Sequence, residues 1–208
     1  MLALQSEIFM DFNFQPKGFR SKQGWYSRGY LPHFDGGEIF QFITFRLFDS
    51  LPKVLLEKWS QEVSDEKGKI EFRKKIENYL DEGNGSCFLK NEKIAQTVED
   101  CLKYFHEEKY KLISWVIMPN HVHCLLLPLE NIELEKITHS IKSFSAQKAN
   151  KILGRKGQFW QHESFDRYIR NAEHYKNVIK YIENNPVKAN LCEKAEDWVF
   201  SSAYKAKI

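Results

Sequence analysis

The sequence predicts an α+β domain of ferredoxin-like (RRM-like) type. That means an antiparallel sheet of about four strands with helices on one face, an N-terminal arm and a C-terminal extension. Three observations predict it. Two apolar runs, YKLISWVIM (110–118) and HVHCLLLP (121–128), flank Pro119-Asn120, the signature of a tight β-hairpin. EIFQFITFRLF (38–48) is β-branched and aromatic and apolar on both alternating faces, as a central strand is. Helical patterns lie between and after these runs, in the order strand, helices, hairpin, helix, strand, helix.

Residues 1–37 hold Phe19, Arg20, Trp25, Tyr26, Arg28, Tyr30 and His33 without periodicity and are expected to form an extended arm over the domain. In the first strand Thr44 and Arg46 share a face with Phe40, Phe42 and Phe48, and an arginine there is expected to meet an anion. From Pro52 to about Asp81 a charged helix is expected, broken near Asp65–Gly68, with DEGNGS (81–86) as a turn. Ile94, Val98, Leu102 and Phe105 recur at helical spacing. Asn131 is expected to cap a helix running to Ile152, with Leu134, Ile137, Ile141 and Phe144 inward. After a basic turn bracketed by Gly154 and Gly157, QFWQHESFDRYI (158–169) reads as a strand. Asn171 is expected to cap the last helix, and Pro186 to end it, because the residue before proline avoids αR. The domain is expected over 38–191, with 192–208 as a tail.

Apolar content of 42% and charged content of 28% are those of a soluble globular protein. No stretch has the length of a membrane span, and the first residues lack the basic head and apolar run of a secretory signal. Cys87, Cys101, Cys124 and Cys192 show no paired spacing, so reduced thiols and a cytoplasmic location are expected. Neither a membrane nor a small-molecule cofactor is expected as a partner. Residues 136–208 carry 14 Lys and Arg against 7 Asp and Glu, whereas residues 1–135 carry 17 against 21. A basic C-terminal third suits a polyanion, because each neutralised phosphate releases counterions. A solvated lysine-rich surface has the same composition.

Residues i and i+2 of a strand point to one face, so His121 and His123 present two imidazoles side by side after the turn. Two neutral imidazoles can bind a divalent ion if a third ligand joins them; an ordinary strand face with two histidines reads the same way. In the last helix Tyr175, Val178, Ile179 and Ile182 form the apolar stripe. Tyr181 sits about 100° from that stripe and one turn from the Asn185 carboxamide. That placement suits a nucleophile beside a ligand, and equally a boundary tyrosine.

The blocks MPNHVH (118–123), GQFWQHESFDRYIR (157–170) and YIENNPVKANL (181–191) resemble the REP-associated tyrosine transposases. These belong to the single-tyrosine HUH superfamily with the IS200-like transposases. RGYLPHFDGGEIFQFITFRLFDSLP (28–52) and DWVFSSAY (197–204) resemble that family's beginning and end, so the likeness runs from Arg28 through most of the chain. It implies His121 and His123 as the histidine pair binding Mg²⁺ or Mn²⁺, Tyr181 as the nucleophile and Asn185 as the third ligand. The superfamily often has Gln at that third position, where this chain has the shorter Asn. The implied activity is metal-dependent cleavage and strand transfer of single-stranded DNA with REP-type hairpins, through a 5′-phosphotyrosine. Arg46, Lys142, Lys148, Lys151, Arg155, Lys156, Arg167 and Arg170 are the candidate DNA contacts, with Lys136 beside them. Relatives suggest either a monomer or a homodimer.

A non-catalytic hairpin or single-stranded DNA-binding module is the alternative. Against it stands the presence of both histidines, the tyrosine and the carboxamide. An RNA-binding ferredoxin-like domain would want exposed aromatics on its central strands, where this sequence has histidines. A metal-dependent hydrolase of small molecules would leave the basic C-terminal third unexplained.

Overall fold

A computed structural model describes residues 24–27 and 32–35 by backbone, and residues 37–129 and 131–206. Gly24–Ser27 (β1) and Pro32–Asp35 (β2) pair antiparallel as a separate ribbon. Phe19, Arg20, Arg28 and Tyr30, and the side chains of Trp25, Tyr26 and His33, lie outside the described residues.

The main sheet has four antiparallel strands in the order β4-β5-β3-β6. They are Gln41–Arg46 (β3), Tyr110–Ile117 (β4), His121–Pro128 (β5) and Phe165–Tyr168 (β6). The helices are Lys53–Gln61 (α1), Glu66–Asp81 (α2), Glu92–Lys103 (α3), Leu134–Ile152 (α4) and Ala172–Lys188 (α5). This is the α+β, ferredoxin-like plan the sequence predicts. Among the described residues no helix is long and apolar enough to cross a membrane.

Alternation along the central strands divides the core. Ile43 and Phe45 of β3, with Val122, Cys124 and Leu126 of β5, face α3 and α4 through Ile94, Val98, Leu102, Ile137 and Ile141. The opposite face carries Phe42, Val116, Met118 and Leu125, covered by Tyr175, Val178 and Ile182 of α5. Each such side chain, fully buried, contributes roughly 1.5–3 kcal/mol. The sheet therefore carries helices on both faces, where helices on one face were expected, and the end of α2 joins α5 on the second through the Asp81–Lys188 pair. The tail returns along β4: Ile117 donates its amide to Phe200, and the Trp198 indole donates to the Ile117 carbonyl.

Several local expectations are corrected. The charged helix does break, with Asp65 capping α2 by accepting from the Gly68 amide. Asn131 caps nothing: its φ is 69°, and α4 starts after Glu133. Phe144 is 56% exposed and points to solvent, not inward. The strand expected over 158–169 shrinks to β6, with Trp160 making only an isolated bridge to Leu47. Asn171 does cap α5, but the helix runs through Pro186 to Lys188. A proline there loses one intrahelical bond in the last turn, and Ala189 and Leu191 still donate to the carbonyls of Asn185 and Pro186.

Candidate metal and nucleophile site

The β3–β5 register sets His123 opposite Thr44 and His121 opposite Arg46, on the sheet face covered by α5. Both histidines are buried, and their rings lie 4.7 Å apart, edge to face. Each has Nδ1 engaged. Thr44 Oγ1 lies 2.6 Å from His123 Nδ1, and Asn120 Oδ1 lies 2.7 Å from His121 Nδ1. Both Nε2 atoms are buried without a hydrogen-bond partner. Burial holds His121 down at about 3, and burial with His121 alongside holds His123 well below the ordinary imidazole range. Both rings are thus neutral at physiological pH, the form that ligates metals.

Helix α5 brings Tyr181 and Asn185 to the same place. The Tyr181 ring is 5.3 Å from the His123 ring and 5.9 Å from that of Phe42, edge-on to both. Its hydroxyl is buried, so Tyr181 sits closer to the core than a residue wholly off the apolar stripe. Burial, then the charges of Glu77 and Asp81, push the phenol far above its ordinary value. Asn185 is buried against His121 and Tyr181, yet neither of its amide atoms closes a hydrogen bond. Tyr175 is buried and packs edge-on to Phe40 at 4.9 Å, in the core.

These residues suit a divalent ion. Two neutral imidazoles offer free Nε2 lone pairs, and a buried carboxamide beside them has an unsatisfied oxygen. Polar atoms buried without partners are costly unless something else binds them. Among the described residues no three His, Cys, Asp or Glu side chains form a metal-holding cluster. Asn185 offers the two histidines a donor of another type.

Residues that sequence reasoning missed complete the surroundings. Asp81, the last residue of α2, reaches Lys188 of α5 at 2.7 Å and lies 3.9 Å from His121 Nε2. Glu77, one turn earlier, faces the Tyr181 hydroxyl without closing a hydrogen bond, and burial raises its carboxyl. Half-buried Arg167 of β6 meets the charges of Arg73, Arg170, Glu77 and Tyr181, and Arg73 stacks over Phe165 at 5.3 Å. Glu77 and Asp81 gave no signal, because acids four apart on a charged helix look solvated. Asn120 stood in the turn motif, where its side chain had no assigned task.

The remaining cationic candidates are dispersed. Arg46 is buried and donates to Ser50 Oγ and the Leu51 carbonyl, so its guanidinium is turned inward. Lys142 donates to the carbonyls of Gln161 and His162 and to Ser164 Oγ, anchoring that segment to α4. Arg155 lies over the rings of Phe48 and Phe88. Lys148, Lys151 and Lys156 are exposed on or just after α4, which packs on the sheet face opposite Tyr181. Exposed Lys136 pairs with Glu133 at 3.2 Å. All four cysteines are unpaired.

A family model described as "Transposase IS200 like" matches residues 86–185, the segment holding both histidines, Tyr181 and Asn185. A REP-associated tyrosine transposase of Escherichia coli (strain K12) is 28% identical over 105 residues, or 50% of this chain and 61% of that protein. The chain thus matches less than two thirds of that relative's length. The solved structure of a REP-associated tyrosine transposase bound to a REP hairpin superposes with a TM-score of 0.50 at 20% identity. That superposition covers 85% of this chain and 81% of the other. A putative transposase from Deinococcus radiodurans gives a TM-score of 0.38 at 15% identity, over 77% of this chain and 96% of its own.

Proposed function

We propose that this chain, which resembles the IS200-like transposases over residues 86–185, cuts and rejoins single-stranded DNA carrying REP-type hairpins, with Tyr181 as nucleophile. The observation that carries this reading is the meeting of Tyr181, Asn185, His121 and His123 on the sheet face under α5. The hairpin substrate is suggested by the relatives' names.

His121, His123 and Asn185 would hold Mg²⁺ or Mn²⁺, which when bound supplies Lewis-acid polarisation of the scissile phosphate. Thr44 and Asn120 fix the imidazole orientations by engaging Nδ1 of each ring. Tyr181 supplies the attacking oxygen. Its bond to phosphorus forms as the bond from phosphorus to the 3′ oxygen breaks, leaving a 5′-phosphotyrosine and a 3′-OH. Glu77, facing the hydroxyl, is placed to take the phenolic proton and pass it to the departing 3′ oxygen. Arg73, Arg167 and Arg170 offset the negative charge of the DNA backbone beside the tyrosine. Attack by the same or another 3′-OH reverses the bond exchange, frees Tyr181 and reseals or transfers the strand.

The test uses fluorescent single-stranded hairpin DNA with the purified chain, in Mn²⁺ or EDTA, resolved on a denaturing gel. A covalent protein–DNA adduct is expected in Mn²⁺ and not in EDTA. It should disappear in His121→Ala and His123→Ala while hairpin binding persists. Binding without an adduct under any metal condition would favour the non-catalytic DNA-binding alternative.

A further inference from the structure

Asn120 Nδ2 donates to two backbone carbonyls, those of Leu80 at 3.0 Å and Asn84 at 2.8 Å. Its Oδ1 is therefore an acceptor, and the His121 Nδ1 facing it at 2.7 Å carries the ring proton. His121 Nε2 is then a bare lone pair. It looks across 3.9 Å at Asp81 Oδ1, and both atoms are buried without a hydrogen-bond partner. The gap is too long for a hydrogen bond, and two electron-pair donors facing each other in a dry site need a cation. Two ligands sharing one divalent ion at bond lengths of about 2.0–2.2 Å sit roughly 3–4 Å apart, which this pair matches.

We propose, resting on the metal-dependent reading above, that Asp81 is a further protein donor to the divalent ion held by His121, His123 and Asn185, with Lys188 as the competing cation for its carboxylate. Asp81 is the last residue of α2, and Asn120 grips the carbonyl just before it and one in the following turn. One carboxamide thus orients the imidazole and fixes the helix end that presents the carboxylate. Lys188 follows Asn185 by three residues on α5, so the helix that carries Tyr181 and Asn185 also carries the competitor. Asp81 precedes the segment matched by the family model, so no shared motif marks it. A carboxylate added to two imidazoles and a carboxamide gives the donor set the negative charge that suits a hard divalent ion.

The experiment measures Mn²⁺ binding to the full chain without DNA, by electron paramagnetic resonance of the unbound ion. Wild type, Asp81→Asn, Asp81→Glu, Lys188→Met and His123→Ala are compared, each checked for folding by circular dichroism. Asp81→Asn is expected to weaken Mn²⁺ binding at least about tenfold, the scale seen when even an outer-shell partner is lost. Asp81→Glu should recover part of that loss, and Lys188→Met should tighten binding. Unchanged affinity in Asp81→Asn, with His123→Ala defective, overturns the role of Asp81 and leaves the histidine site standing. A wild-type chain that binds no Mn²⁺ overturns both. If Asp81→Asn does not fold, Lys188→Met decides: tighter binding supports the competition, and unchanged affinity overturns it.

Discussion

The side-chain oxygen of Asn120 lies 2.7 Å from Nδ1 of His121, while the amide nitrogen of the same carboxamide holds the carbonyls of Leu80 and Asn84. One buried side chain thereby ties the end of α2 to the first histidine. Asn120→Ala leaves two carbonyls and a ring N–H without partners, at roughly 1–3 kcal/mol for each buried group. Thermal melts should show clear destabilisation. In the protein that still folds, Mn²⁺ affinity should fall about 10–100-fold, as for a lost outer-shell partner. Asn120→Asp, which keeps the acceptor but loses the amide donors, should be intermediate in metal affinity. Equal affinity in all three proteins would mean that His121 does not depend on this bond.

The nucleophile is expected to be Tyr181, and Tyr175 is expected to be dispensable for chemistry. The Tyr181 hydroxyl is buried without a hydrogen-bond partner, so Tyr181→Phe removes an unsatisfied polar group. Such a change should be neutral or slightly stabilising. It should still eliminate the covalent adduct. Tyr175→Phe keeps its ring against Phe40 and should keep the adduct. Mass spectrometry locating DNA on any other tyrosine would reject the assignment.

The histidine pair and the tyrosine–carboxamide pair were legible because each follows from a local period: two along a strand, and nearly four along a helix. Pro119-Asn120 announced the hairpin that aims His121 and His123 at one face. Nothing local announced Asp81 or Glu77. Their burial comes from α2 docking against residues far along the chain, Asn120 and then Arg167, Tyr181 and Lys188, and a charged helix reads the same whether it docks or not. Asn131 misled because Asn serves both as a helix cap and as a left-handed turn residue, and at φ 69° it is the latter. Pro186 misled because the rule against αR before proline is a preference, which burial of Asn185 and Pro186 at the end of α5 overrides.

Acid sensitivity follows from the histidines that the metal-free chain holds neutral. His121 is held from 6.5 down to about 3 by burial, then by Lys188. His174 is held from 6.5 to about 4 by burial, then by Arg167 and Arg170. Both are depressed, so the unfolded chain binds more protons than the folded one below about pH 6.5, and stability falls with pH there. The stabilisation is fully present above pH 6.5 and disappears as pH falls through those depressed values. The melting temperature should be flat from pH 8 to 7 on account of these groups and should drop from pH 6.5 to 4. His174→Gln should make that drop shallower. An unchanged slope in the variant would show that His174 is not held neutral by its surroundings.

DNA contacts should divide by sheet face. Arg73 and Arg170 gather around Arg167, which faces Tyr181, whereas Lys148, Lys151 and Lys156 belong to α4 and the turn after it, across the sheet. A short single strand spanning only the scissile phosphate should therefore sense the arginines. Arg73→Ala and Arg170→Ala should each weaken its binding and flatten the dependence of log K on log salt, by about 0.7 per lost phosphate contact for single-stranded DNA. Arg167 is the poorer probe, because its half-buried side chain also faces Glu77, and its removal takes from that carboxylate one of two counter-charges, Lys188 being the other. The triple variant Lys148→Ala, Lys151→Ala, Lys156→Ala should leave the short strand's affinity and slope unchanged. If those lysines touch DNA, the loss should appear only with a hairpin long enough to reach around the sheet edge. Lys142→Ala should differ from both sets: its ammonium holds two carbonyls and a hydroxyl, so it should lower the melting temperature more than the salt slope. Equal losses from the arginine and lysine sets on the short strand would mean that DNA does not enter beside Tyr181.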